Sequence, residues 1–152
     1  MIMTLNDVLT KQNVITKIVL QNDEKELPKE LKVKVMRIRM AYNKIKKQFD
    51  EDVQEFTTQV VSDELKELAN KQERTEVEEA RFNELNDKVN SEYREYVIQK
   101  GYEEITESIE DTFTEDEYME LVDINSGNDS EINGVKIKAA DLLEVIYEMF
   151  VK

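Results

Sequence analysis

The chain has 152 residues, 35 acidic and 21 basic, for a formal net charge of -14, with no Cys, His or Trp, three Gly and one Pro. That is one domain's worth of chain, with 39% apolar residues for a modest core and 37% charged residues for an ionic surface. The missing Cys and His exclude disulfides, thiolate nucleophiles, the usual zinc ligand sets, imidazole bases and Ser-His-Asp triads, leaving carboxylates, Lys, Arg, Tyr and hydroxyls for any chemistry.

Residues 1–20 carry polar side chains throughout, unlike a signal peptide, and no stretch reaches the roughly twenty apolar residues that span a bilayer. A soluble protein without membrane contact is expected. Residues 1–5 offer a short strand. Leu5, Val8, Leu9, Ile15, Ile18 and Val19 fit one helix face, while residues 14–20 are β-branched enough for a strand. Helix is the expectation for residues 6–20.

Only Pro28 and Gly101 interrupt the chain before Gly127, so the class expected is mainly α. Pro28 suits the first turn of a helix, where no amide hydrogen is needed. Leu31, Val35, Ile38, Tyr42, Ile45 and Phe49 then form a coiled-coil-like heptad seam. Val53, Phe56 and Val60 extend it in a stutter, and Val61, Leu65 and Leu68 continue on a rotated face, predicting one helix to about Asn70. Thr75-Glu76-Val77-Glu78 is a capping box that opens a second helix. Its seam runs through Phe82, Leu85, Val89, Tyr93, Tyr96, Ile98, Tyr102, Ile105 and Ile109, with a kink or close contact at Gly101. The short link 71–74 makes the two helices antiparallel, so residues 28–112 read as a long helical hairpin within a single domain of residues 1–152.

Residues 1–27 and 113–152 read as a small terminal α+β part. Thr114-Glu115-Asp116-Glu117 is a second capping box, opening a short helix to about Leu121. Asn133-Gly134 between Glu131-Ile132 and Val135-Lys136-Ile137 signals a β-hairpin, to which residues 1–5 would add a third strand. Leu142, Leu143, Ile146, Met149 and Phe150 mark one face of a last helix. Met36, Met40, Met119 and Met149 read as core fillers, as Tyr93, Tyr96 and Tyr102 read as seam residues.

Charge is segregated. Residues 29–47 hold Lys29, Lys32, Lys34, Arg37, Arg39, Lys44, Lys46 and Lys47 against the single acid Glu30, whereas residues 101–135 hold twelve acids and no Lys or Arg. Lys34, Arg37, Arg39, Lys46 and Lys47 are therefore the candidate partner-binding residues. Nucleic acid is the disfavoured partner, because the net charge repels a polyanion and no exposed aromatics interleave with the basic residues. The default expectation is that basic and acidic ends meet within the chain.

Two patterns bear on metals. Asp123-x-Asn125-x-Gly127-x-Asp129 has calcium-loop spacing, yet Asn128 stands where the turn Gly belongs and Gly134 where a bidentate Glu belongs, so it reads as a polar loop. Glu64-x-x-Glu67 and Glu84-x-x-Asp87 place acid pairs on adjacent antiparallel helices. They resemble the paired acidic motifs of all-α, MazG-like nucleotide pyrophosphohydrolases, which implies Mg²⁺-dependent nucleotide hydrolysis. The resemblance covers these four residues only, and solvated helix faces are the default for acids this abundant.

The order of elements, from Leu27-Pro28 and the basic helix through Phe49-Asp50-Glu51-Asp52 to the Ile-Asn-Gly-Val hairpin and apolar last helix, resembles small helical proteins of unassigned function encoded by tailed bacteriophages. The resemblance implies a non-enzymatic structural or assembly protein, in the virion or host cytoplasm. It would form homo- or hetero-oligomers with phage or host proteins, without catalytic residues, metal or cofactor. The alternatives are a small acidic phage protein that inhibits a host or defence protein, and the Mg²⁺-dependent pyrophosphohydrolase.

Overall fold

The computed structural model describes residues 3–20, 27–125, 130–132, 135–137 and 139–151. The chain is mainly helical, in the order α1 (Leu5–Leu20), α2 (Lys29–Val60), α3 (Asp63–Asn70), α4 (Glu76–Gly101), α5 (Glu115–Asn125), β1 (Ser130–Ile132), β2 (Val135–Ile137) and α6 (Ala139–Phe150). It divides into two compact units, one of Met1–Lys46 with Glu104–Lys152 and one of Lys47–Glu103. The seam of the first half of α2 packs in the core of the first unit.

In the first unit, α1 is a helix, as expected. Thr4 and Asp7 cap it reciprocally: the Thr4 amide donates to Asp7 Oδ2 (2.8 Å) and the Asp7 amide to Thr4 Oγ1 (3.3 Å). The strand expected at residues 1–5 reduces to an isolated bridge between Thr4 and Glu104, with the Ile105 amide donating to the Met3 carbonyl (3.0 Å). The core gathers Val8, Val14 and Ile15 of α1, Leu31, Val35, Ile38 and Tyr42 of α2, Phe113, Leu121 of α5, and Ile146 and Phe150 of α6. Phe113 and Phe150 meet with tilted rings 5.5 Å apart, while the Phe113 amide donates to the Phe150 carbonyl.

Residues 102–114 are not helical, against the expected continuation to residue 112. Tyr102 and Glu103 donate to the last carbonyls of α4, and buried Gly101 ends the helix instead of kinking it. From Ile109 onward every second residue, Ile109, Asp111 and Phe113, turns inward, the period of an extended chain. Thr114 and Glu117 then form the expected capping box of α5, with reciprocal bonds of 2.9 and 3.2 Å.

β1 and β2 pair antiparallel, with Ser130 opposite Ile137 and Ile132 opposite Val135. The Asn133-Gly134 turn expected between them lies outside the described residues. Two strands of three residues make no sheet layer, so the α+β character expected of the terminal part is not supported and that part is helical.

The second unit is a helical hairpin. The 32 residues of α2 extend roughly 48 Å at 1.5 Å per residue, and its last turns belong here. The helix stops at Val60 instead of Asn70. Thr57 and Thr58 bond back to the Val53 and Gln54 carbonyls, which bends a helix. Ser62 then adopts an extended conformation and accepts from the Leu65 amide at 3.1 Å, starting α3. The break supplies the rotation that the sequence shows at Val61, and lets Leu65 and Leu68 turn inward together. Thr75 and Glu78 form the expected capping box of α4. The arms run antiparallel: Phe56 stacks on Tyr96 with centroids 4.0 Å apart, Lys100 Nζ lies 3.0 Å from Asp52 Oδ2, and Arg81 reaches Glu64.

Candidate protein-interaction surface

The five basic residues singled out by the sequence do not form one face. At about 100° per residue, Lys34 and Arg37 lie on one side of α2, Arg39 and Lys46 on the opposite side and Lys47 between them. Lys34 is engaged within the first unit: its Nζ lies 2.8 Å from Glu117 Oε1 and 5.2 Å above the centre of the Phe113 ring. Burial works to raise the Glu117 carboxyl, but hydrogen bonds from Lys34 and Thr114 outweigh it and hold the group below the usual range. This pair joins the basic segment to the acidic one at a single point. Arg39 is partly buried, with its Nε shielded and without a hydrogen-bond partner among the described residues. Arg37 and Lys47 are exposed and Lys46 half-buried.

A different strip of α2 emerges from the structure. Val33, Met36 and Met40 are 41, 51 and 68% exposed, at i, i+3 and i+7 spacing on the face opposite buried Leu31, Val35, Ile38 and Tyr42. Met36 and Met40 are therefore not core fillers, and neither is exposed Met119; Met149 does pack against the core. Exposed Lys29, Lys32, Arg37 and Lys44 flank the strip and make no ion pair among the described residues. The second apolar triplet was available in the sequence, but the stronger seam on the same helix masked it. Beside the strip lies a groove of about 780 Å³, bounded by Val33, Lys34, Arg37, Ile38 and Ala41 on α2 and by Ser108, Ile109, Glu110 and Thr112 opposite.

The first unit also holds a buried polar cluster. Asp111, 7% exposed, accepts from the Tyr42 hydroxyl and from Lys11 Nζ at 2.9 Å, and Lys11 also lies 5.5 Å from the centre of the Phe150 ring. Burial first, then the hydrogen bond to Asp111 and its charge, push the Tyr42 phenol far above the usual tyrosine range. The cluster fixes Tyr42 as a neutral donor, a structural role.

In the second unit, Arg81 stands between the acid pairs. It grips Glu64 through two bonds of 2.8 and 3.1 Å and lies 3.3 Å from Glu84. The Arg81 hydrogen bonds hold the Glu64 carboxyl below its usual range. Among the described residues no three acidic side chains converge as metal ligands. Arg81 thus pairs with one acid of each motif, Glu64 and Glu84. The residues 126–129 of the calcium-like spacing lie outside the described residues. A shallow groove of about 290 Å³ follows the stacked rings, between Asp52, Glu55, Phe56 and Gln59 on α2 and Tyr96 and Lys100 on α4. Tyr96 fills the seam as expected, whereas Ile98 and Tyr102 face solvent.

No protein family, curated protein or solved structure matches the chain. Among the described residues no helix is long and apolar enough to cross a membrane.

Proposed function

We propose that the chain is a non-enzymatic assembly protein of a tailed bacteriophage, acting through protein–protein contacts in the virion or during its construction. The observation that carries this reading is the thin core of the hairpin Lys47–Glu103. Among its described large apolar residues only Leu65 and Leu68 are buried. Val53, Phe56, Val60, Phe82, Leu85, Val89 and Tyr96 are half-buried along the seam, and Tyr93 at its edge is 40% exposed. Two helices leave such a seam open on one side, and bundles close it with further helices. The resemblance of the whole chain to small phage proteins supplies the setting, and the guanidinium between the acid pairs weighs against the hydrolase.

Light scattering across a concentration series, alone and with co-produced phage structural proteins, tests the reading. A defined oligomer or stoichiometric complex, weakened by Tyr93→Glu, is expected. A strict monomer at high concentration that forms no such complex overturns it. A complex formed only with a host or defence protein would transfer the assignment to the inhibitor reading.

A further inference from the structure

We infer that Val33, Met36 and Met40, with Lys29, Lys32, Arg37 and Lys44 beside them, are a docking strip for an acidic amphipathic helix of a protein partner. The inference deepens the assembly reading and rests on it, but uses a separate surface.

The geometry sets the form of the partner. From Val33 to Met40 the strip covers two helical turns, about 10 Å, the span that side chains at i, i+3 or i+4, and i+7 of one docked helix fill. Methionine suits such a seat, since its unbranched thioether adapts to differently shaped anchors. The opposite face of α2 is committed to the core, so the strip is not available to the protein's own packing.

Charge sets its chemistry. Four cations flank the strip without ion pairs among the described residues, in a chain whose net charge is -14. A helix with acids beside its apolar anchors meets these cations at contact distance; Glu30 and Glu110 line only the groove along one edge of the strip. A second copy docking the same strip would set Lys and Arg against Lys and Arg. Nucleic acid has no use for three exposed apolar side chains at the centre of the patch.

The test uses the full chain with methyl-labelled methionine, titrated with a synthetic helical peptide bearing Leu at i, i+3 and i+7 and Glu on its flanks. Saturable shifts of the Met36 and Met40 methyl signals are expected. The affinity should fall roughly tenfold in Met36→Ser with Met40→Ser, a change at exposed positions that leaves the circular dichroism unchanged. The same peptide with Lys in place of Glu should not bind, and Lys32→Glu with Arg37→Glu should weaken the Glu peptide more at low salt than at high. Absence of saturable shifts at millimolar peptide, or equal binding of the Lys peptide, overturns the proposal. So does a short DNA duplex that displaces the peptide, or self-association that disappears in the serine variant, which would assign the strip to nucleic acid or to a second copy. Failure here leaves the hairpin oligomer unaffected, so it is distinguishable from failure of the assembly reading.

Discussion

Tyr42 and Asp111 are 69 residues apart in sequence, yet the Tyr42 hydroxyl donates to Asp111 Oδ2 inside the core of the first unit. Lys11 completes the carboxylate's surroundings at 2.9 Å. Tyr42→Phe removes one donor and leaves the ion pair, so it should cost about 1–2 kcal/mol. Asp111→Ala strands a buried hydroxyl and a largely buried ammonium together, and should cost about 3 kcal/mol or more. Urea denaturation of both variants checks the order; equal losses would mean that Asp111 contributes nothing beyond accepting from Tyr42.

The same pair should contribute to the loss of stability at alkaline pH. A phenol whose folded pKa is raised contributes stability that is complete below the unfolded value and is lost as pH rises above it, from about pH 10. Ultraviolet titration should find one of the six tyrosines silent until the fold opens, and Tyr42→Phe should remove that latent step.

At the acid end the sign reverses. The hydrogen bond from Lys100, followed by that from Gln48, holds the Asp52 carboxyl below its usual range, and Glu117 is also depressed. Such groups contribute stability above their unfolded values, about pH 4, that is lost as pH falls through the lower folded values. Denaturation midpoints should therefore fall between about pH 4 and pH 2. Asp52→Asn should flatten part of that decline, by a modest amount because the pair is partly exposed.

Helix starts offer a local check. Ser62→Ala and Thr75→Ala each remove a side-chain acceptor for an amide, and should cost about 1 kcal/mol. Thr75→Ser keeps the acceptor and should be close to neutral. A null effect of Ser62→Ala would show that α3 begins for reasons other than its cap.

What was legible in the sequence had a local, repeating cause. The capping boxes at Thr75 and Thr114, the seam from Leu31 to Tyr42 and the helicity of residues 6–20 are written in spacings of three and four or in a four-residue motif, and each formed. The non-helical segment 102–114 was not legible. Its inward positions are Ile109, Asp111 and Phe113, and a carboxylate at the middle one hides the period of two among many acids; only the distant Tyr42 and Lys11 make that position internal. The end of α2 at Val60 was concealed for a related reason, since apolar spacing continues across it while Thr57, Thr58 and Ser62 redirect the backbone. The candidate surface was half legible: the basic residues are there, but the outward Val33, Met36 and Met40 are revealed only once the opposite face is seen to be full.

Arg81 bears on the remaining enzymatic alternative. With the guanidinium between Glu64 and Glu84, a panel of nucleoside triphosphates with Mg²⁺ should show no turnover. Turnover abolished by Glu84→Gln would restore that alternative.

The first unit draws on Met1–Lys46 and on Glu104–Lys152, and this has a consequence for biosynthesis. A ribosome must extend the chain through Phe150 before Val8, Ile15 and Tyr42 can be enclosed, because Phe113, Leu121, Ile146 and Phe150 complete their core. Residues 47–103 emerge earlier and make their contacts within that one continuous segment, so they can order first. The nascent α1 and the start of α2 meanwhile expose apolar side chains for the length of more than a hundred further codons, and chaperone occupancy during synthesis should concentrate on those first 46 residues.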